Sequence, residues 1–567
     1  MNTAQMDTDL TTLSENKARW ATLAVSEKID YLRRLVDLTI TNAEDWADSA
    51  VSAKGIDADS PLAGEEWVSG PYALLGWMHA ISATLTAIDQ DGDVLAGIKT
   101  WKRSNGQAVA RVYPTNIYET LLLHGYQVDV WMEPGVGLDE LSQNTGRFYR
   151  EPDHGGRVAL VLGAGNISSI VPLDILYKLF ADGEVVIVKM NPVNDYLGPV
   201  FERIFAPLVD AGYVRFAYGA GDVGGYLTGH DSVDTIHITG SSRTHDAIVF
   251  GPGEEGVERK SNNQPLISKP ITSELGGVSP TIIVPGPWTQ ADIAYQAEHL
   301  ATQKLHNSGF NCIASQILVL PEGWDGTARL VDEVRKALAE AESRPAYYPG
   351  SDDRQQAVRD QHPDAEKLET DVERTLIVGV DSADAGAYCF KEEFFAPVYA
   401  TTEISAPSAA EFLREAVRFS NETLQGTLGA NIIIHPRTAT DLGDELDQAI
   451  AELRYGTIAV NAWTGVGFLL GRAAWGAYPG HTLDNIQSGK GNVHNALLLD
   501  RPQKTVVKAP FWPFPRGVAH GSFYLSPRPL WFVTNGTAKT TGKRLTYYAG
   551  DEKVTRLPGI FASALRG

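Results

Sequence analysis

Val158-Ala-Leu-Val-Leu-Gly-Ala-Gly-Asn-Ile-Ser-Ser169 passes from five apolar residues into a stretch of mostly small ones. The first part has no polar alternation, so it reads as a strand buried on both faces. The glycines read as a turn, and Val171 to Phe180 as a helix that Gly183 ends. The same unit recurs. Glu184-Val-Val-Ile-Val-Lys189 is a strand stopped by Pro192, Tyr196 to Ala211 a helix closed by Gly212, Val214-Arg-Phe-Ala217 a third strand and Thr235-Ile-His-Ile238 a fourth. Strand alternating with helix predicts a doubly wound parallel sheet, with ligands at the carboxyl ends of its strands.

The pattern resumes after Thr281-Ile-Ile-Val284. A helix over 291–306, the strand Ile317 to Leu320, and strands at 429–434 and 457–460 predict a second α/β unit. Upstream, residues 8–53 repeat apolar side chains at three- and four-residue steps, and residues 1–125 read as helical. Trp67, Trp77 and Trp101 are core candidates there, and nothing in that region asks for chemistry. Tyr126 to Met132, Gly146 to Arg150 and Leu497 to Val507 read as strands of a small antiparallel piece. Beyond it, Phe511-Trp-Pro-Phe-Pro515 and Ser526-Pro-Arg-Pro-Leu-Trp-Phe532 alternate proline with aromatics, which predicts an extended arm across the surface.

Composition narrows the function. A chain of 567 residues suggests two to four domains. Its 43% hydrophobic and 21% charged residues are those of a soluble globular protein. A net charge of −22 counts against nucleic acid and anionic membranes as partners. Two cysteines cannot build a disulfide framework, and no His/Cys spacing reads as a zinc site, so a reducing, cytoplasmic setting without a metal is expected. The acidic Met1 to Glu15 lacks the basic and apolar regions of a signal peptide. Tyr72 to Ile88 is interrupted by His79, Ser82, Thr84 and Thr86, and reads as a buried helix rather than a membrane span.

Three residues stand out chemically. Cys312 lies in Lys304-Leu-His-Asn-Ser-Gly-Phe-Asn-Cys-Ile-Ala-Ser-Gln316, where small side chains leave a thiol reachable. A lone cysteine is more often a small buried hydrophobe than a nucleophile. Glu274 precedes a glycine pair and reads equally as a helix-cap carboxylate. Glu393 is one of two adjacent acids, usually a solvated face. Two turns, Gly163-x-Gly165-x-x-Ser168 and Gly219-x-Gly221-x-x-Gly224, imitate a dinucleotide fingerprint. Neither is followed by the acidic residue expected about 20 positions on, so tight helix–strand packing explains the glycines as well.

Taken together, these motifs resemble the aldehyde dehydrogenase superfamily. Glu274-Leu-Gly-Gly-Val-Ser-Pro280 is similar to its Glu-Leu-Gly-Gly signature, Asn307-Ser-Gly-Phe-Asn-Cys312 to its cysteine signature, and Glu392-Glu-Phe-Phe-Ala-Pro-Val398 to its Glu-Glu-x-Phe-Gly-Pro-Val. Val186 to Lys189 and Ile238 to Ser241 match two cofactor turns, and Asn166 stands where the family has Pro-Trp-Asn. The order agrees from about residue 155 to 465. The resemblance implies oxidation of an aldehyde to a carboxylate with NAD or NADP. Cys312 is then the nucleophile, Glu274 the general base and Asn166 an oxyanion donor. Lys189 and Glu393 contact the cofactor's riboses, Gly240 and Ser241 its pyrophosphate, and Phe395 its nicotinamide.

Relatives that pass the thioester to coenzyme A commonly lack the base, so Glu274 favours hydrolysis. A silent scaffold of the same fold is the third possibility. Pro192 replaces an acidic residue, His245 a glycine and Phe310 a polar residue of the family pattern, and the His245 exchange implies a different approach to the pyrophosphate. The resemblance further implies a cofactor domain from 1–125 and 151–272 and a catalytic domain over 273–490. Oligomerisation strands would come from 126–150 and 491–508, followed by an extension over 509–567 and assembly as a homodimer or homotetramer.

Overall fold

β-branched runs without polar alternation form strands covered on both faces. In the computed structural model, which describes residues 3–151 and 155–567, four such runs lie side by side in a six-stranded sheet. Its order is Gly489–Lys490, Ile271–Leu275, Thr235–Gly240, Val158–Leu162, Val185–Lys189 and Val214–Ala217. All neighbours are parallel except the short Gly489–Lys490. The register aligns Leu162 with both Lys189 and Ile238, and Glu274 with Thr239. The turn after Leu162, Lys189, Gly240 and Glu274 therefore emerge along one edge.

The second sheet has eleven strands. At its centre Gly429–Ile433, Ser279–Ile283, Ser315–Pro321 and Val398–Ile404 run parallel as neighbours. The segments that enter these strands contain Gly276, Cys312 and Glu393. Parallel neighbours start at the same edge, so residues far apart in sequence are gathered there. The two sheets are linked directly, because Leu275 ends a strand of the first and Ser279 begins one of the second.

Several expectations are corrected. The proposed boundary at 273 falls inside Ile271–Leu275, which belongs to the first sheet and takes Glu274 with it. Residues 1–125 are not helical throughout: after the helix that ends at Asp89, Thr100–Lys102 and Ala108–Tyr113 are strands of the large sheet, and only the short Ile117–Leu122 is helical again. Trp67 and Trp77 are buried, but Trp101, on the edge strand, is half-buried. Gly146 to Arg150 is not a strand: Gly146 adopts a left-handed φ of 60°, and Arg147–Arg150 is a helical turn whose Tyr149 hydroxyl donates to the Phe180 carbonyl at 2.6 Å. The antiparallel piece is no separate flap. Gln127–Met132 pairs with Pro502–Lys508, which runs parallel to Thr457–Val460 and so continues the second, eleven-stranded sheet. Among the described residues no helix is long and apolar enough to cross a membrane.

The C-terminal segment is only partly an extended arm. After Pro-rich loops it forms two helices, Ala538–Asp551 and Leu557–Ala564. Ala538, Thr541, Gly542 and Thr546 make a small-residue face buried against the segment 61–72. The approach is so close that a Cβ on Gly64 would overlap the Ala538 backbone, whereas one on Gly76 meets nothing. Thermal denaturation should therefore separate two substitutions. Gly64→Ala destabilises by about 1–3 kcal/mol through overpacking, and Gly76→Ala, inside the helix Ala73–Asp89, stabilises by up to ~1 kcal/mol. Equal effects would contradict this docking.

Candidate active site

The two strand edges enclose a cleft of about 1390 Å³, and all eight residues singled out from sequence line it: Asn166, Lys189, Gly240, Ser241, Glu274, Cys312, Glu393 and Phe395. The glycines of the first turn serve packing as well. A Cβ on Gly163 would overlap Val171, and one on Gly165 would overlap Asn191 and Val193. The packing reading of those glycines holds, and the same turn also lines the cleft.

The cysteine loop is held in a backbone shape that side chains resist. Asn307, Ser308 and Gly309 have φ of 53°, 56° and 80° in succession, which for non-glycine residues persists only when surroundings enforce it. Asn307 receives that enforcement. Its backbone N–H donates to Glu65 at 2.9 Å, and its side-chain amide donates to the carbonyls of Phe310 at 3.0 Å and Asn166 at 3.2 Å. Its side-chain oxygen accepts from Lys54 at 3.1 Å and from the Tyr347 hydroxyl at 3.0 Å. Lys54 also pairs with buried Glu66 at 2.7 Å, and Arg344 holds Glu65 through two bonds of 2.7 and 3.1 Å. The N-terminal region was expected to hold no chemistry, yet Lys54, Glu65 and Glu66 fix the loop that presents Cys312. Two adjacent acids beside Trp67 carry no sequence signal of burial.

Cys312 itself is partly exposed, while Cys389 is fully buried. Loss of water around the sulfur, then the carboxylates Glu274 and Glu393, push the Cys312 thiol well above its usual range. Glu274 is 4% exposed, and burial raises it to about 7, with Asp174 adding to the rise and Cys312 and Trp475 opposing it. Burial likewise raises Glu393 to about 8, reinforced by Glu274 and opposed by Lys304 and Arg354. One oxygen of each carboxyl has no partner among the described residues. Buried Lys304, pushed down to about 7 by burial, is the nearby cation on the sheet side. Gly276 leaves room for Glu393, since a Cβ there would overlap its carboxylate.

Asn166 donates its side-chain amide to the Phe310 carbonyl at 2.9 Å, which ties the first-sheet turn to the cysteine loop. Phe310, the departure noted before Cys312, is buried and packs on Tyr347, Tyr348 and Phe395 with ring centres 5.2, 5.6 and 5.7 Å away. Phe395 has φ of 41°, and its carbonyl accepts from Arg354 at 3.1 Å. Tyr348 and Arg354 were missed in the sequence, Tyr348 lying in a loop without pattern and Arg354 in the polar helix Ser351–Gln361 that follows it.

At the other end of the cleft Ser241 caps the helix Ser242–Val249, accepting from the Thr244 N–H at 3.2 Å, and the helix start faces the cleft. Backbone N–H groups at a helix start suit a phosphate. Lys189 ends its strand half-buried, and burial lowers its pKa while Asp222 and Asp195 oppose that. His245 was expected to alter the pyrophosphate approach. It is instead fully buried on the inward side of that helix and is not part of the cleft lining. A nicotinamide dinucleotide fits this set: a helix start for the pyrophosphate, Lys189 and Glu393 for hydroxyls, and the Phe395 cluster for an aromatic ring.

The aldehyde dehydrogenase family profile matches residues 87–469. Among curated proteins the chain is 25% identical over 231 residues to N-succinylglutamate 5-semialdehyde dehydrogenase of Chromobacterium violaceum, covering 38% of this chain and 44% of that protein. It is 25% identical over 298 residues to the NADP(+) D-glyceraldehyde dehydrogenase of Thermoplasma acidophilum, covering 48% and 54%. The match thus spans about half the length of these curated relatives. Among solved structures, indole-3-acetaldehyde dehydrogenase in complex with NAD+ superposes with a TM-score of 0.58 at 17% identity, over 89% of this chain and 88% of that one.

The electrostatics of the cleft make a direct prediction. Iodoacetamide at pH 8 labels Cys312 at least ~10-fold more slowly than a free thiol, because the thiolate is scarce. Glu274→Gln removes a negative neighbour and speeds the labelling. Peptide mass mapping follows both, and slower labelling in the variant would contradict the coupling.

Proposed function

The chain belongs to the aldehyde dehydrogenase family, and from that premise we propose that it oxidises an aldehyde to a carboxylate with NAD or NADP, using Cys312 as nucleophile. The observation that carries this reading is the placement of Cys312 and Glu274 in the same cleft as a helix start suited to a dinucleotide. A dinucleotide held by the Ser242–Val249 helix start, Lys189 and Glu393 would supply the hydride acceptor for the carbon attached to sulfur.

The chain's own groups do the rest. The Cys312 sulfur attacks the aldehyde carbon, and its proton has to leave; Glu274, raised to about 7, is the acceptor beside it. The aldehyde oxygen becomes anionic and needs fixed donors. The Asn166 amide has two N–H groups, one spent on the Phe310 carbonyl, which leaves the second for this oxygen together with the Cys312 backbone N–H. Loss of hydride leaves a thioester on Cys312. Glu274 passes the thiol proton on to solvent and then takes one from water, whose oxygen adds to the thioester carbon. The carboxylate departs, its remaining proton returns to the released sulfur, and Glu274 gives its second proton to solvent. One water enters, and two electrons leave as hydride. A base with a pKa near 7 is matched to neutral pH for this step.

The reading also carries assembly as a homodimer or homotetramer, supported by the edge strand Thr100–Lys102 at the end of the large sheet. Light scattering at the 61.5 kDa monomer mass would count against it.

Cofactor reduction at 340 nm over an aldehyde panel, with NAD and NADP in parallel, tests the activity. Cys312→Ala gives no turnover above background, and Glu274→Gln loses at least ~10²-fold in kcat. Because a raised carboxyl is protonated below its pKa, kcat falls as pH drops through about 7 in the wild type. Turnover that survives in Cys312→Ala overturns the mechanism.

A further inference from the structure

A second, smaller cavity touches Cys312, of about 50 Å³, and shares just Ile170 and Cys312 with the cofactor cleft. Trp463, Phe468 and Trp475 line it, together with Leu530 and Trp531 from the C-terminal segment. A third cavity of about 490 Å³ adjoins it, sharing Val68, Leu469, Leu530 and Trp531. The three form one series from a vestibule through a throat to the sulfur. Leu530 and Trp531 stand at the junction of vestibule and throat. Both lie outside residues 87–469, the part that matches the family profile.

The wall is anchored, not loosely draped. Arg528 pairs with Glu298 at 2.7 Å, Thr534 donates to the same carboxylate at 3.0 Å, and the Val533 N–H donates to Thr302 at 3.2 Å. Phe532 stacks on Tyr295 and His299, with ring centres at 5.6 and 5.2 Å. These partners lie on the helix Gln290–Leu305, which leads directly into the cysteine loop. Trp531 is itself 6% exposed and meets Tyr126 edge-on at 5.8 Å.

The charges along the way are spoken for. In the throat, Glu65 is bonded by Arg344 and by the Asn307 N–H, and burial pushes His306 down to about 4, which leaves it neutral at pH 7. Among the described residues lining the vestibule Arg472 is the one arginine or lysine, and it pairs with Glu119 at 2.7 Å, while Glu552 adds a further negative group and His79 is the one histidine. An anionic substrate therefore finds no unpaired cation among the lining residues and meets aromatic walls next to the sulfur.

Resting on the dehydrogenase reading above, we propose that the chain acts on aldehydes carried by an extended, uncharged alkyl or arylalkyl group, and that Leu530 and Trp531 of the C-terminal segment are specificity-determining residues. An apolar chain threading throat and vestibule gains from every methylene it buries. A short aldehyde gains little, and a charged end is stripped of water without a partner.

Initial-rate kinetics on the full chain test this, with propanal, hexanal, octanal and decanal against 4-oxobutanoate, each with NAD and NADP. The expected result is a kcat/KM that climbs about fourfold per added methylene until the passage is full, with 4-oxobutanoate at least ~100-fold below hexanal. Trp531→Ala lowers the octanal-to-propanal ratio by about tenfold or more, and Trp531→Phe restores most of it. Leu530→Arg raises the 4-oxobutanoate-to-octanal ratio by about tenfold or more. If the alanine variant does not fold, the wild-type series decides. Cofactor reduction that is flat across the alkyl series, or best with 4-oxobutanoate, overturns the substrate class and leaves the dehydrogenase reading standing. No reduction with any aldehyde overturns both.

Discussion

Asn307 is the residue on which the rest of the site depends. Its backbone is in a left-handed conformation, and each polar group of its side chain is bonded to a different part of the chain. Through it the cysteine loop, the turn that carries Asn166, the N-terminal helices and the loop with Tyr347 become one rigid assembly. Such a hub works because it is buried and satisfied. A half-satisfied network in the same place would cost more than an apolar core. The paired ions behind it obey the same logic, since stripping one partner from a buried pair costs about 3–5 kcal/mol.

A second constraint is electrostatic. Two buried carboxyls and a thiol share one cleft; burial holds each toward its protonated form, Glu274 adds to the rise of Glu393, and both carboxylates add to that of the thiol. The resting site is therefore close to neutral, with a reluctant thiol. Reactivity then depends on what enters the cleft, because a positive group bound near Glu393 would relieve the repulsion that holds the thiol protonated. Lys304, itself depressed by burial, balances this only in part. The same low dielectric that raises Glu274 makes it a competent base near neutrality.

The sequence revealed what periodicity and local chemistry encode. The buried runs at 158–162 and 185–189 announced the parallel sheet, and register then dictated that their carboxyl ends line one cleft. Cys312 and Glu274 were legible because small residues surround the one and a glycine pair follows the other, and Glu393 because it belongs to Glu392-Glu-Phe-Phe-Ala-Pro-Val398; Gly276 proves to make space for Glu393. What stayed hidden depends on contacts across hundreds of residues. Lys54, Glu65 and Glu66 read as a helical surface until the fold buries them against Asn307. The helix Ala538–Asp551 was obscured by the prolines and aromatics before it, and by small residues whose worth lies in close packing against Gly64. His245 was misjudged for a related reason: its place in sequence suggested the cleft, while helix geometry turns it inward.

The central claim is that Cys312 carries the substrate covalently while Glu274 frees it. The most direct measurement is mass spectrometry of acid-quenched Glu274→Gln after mixing with octanal and the cofactor that supports turnover. The account predicts an octanoyl group on the peptide that contains Cys312, at close to one per chain, and little of it in the wild type. An octanoyl group on Cys389 or another residue, or an unmodified Cys312 alongside a stoichiometric burst of reduced cofactor, would contradict it.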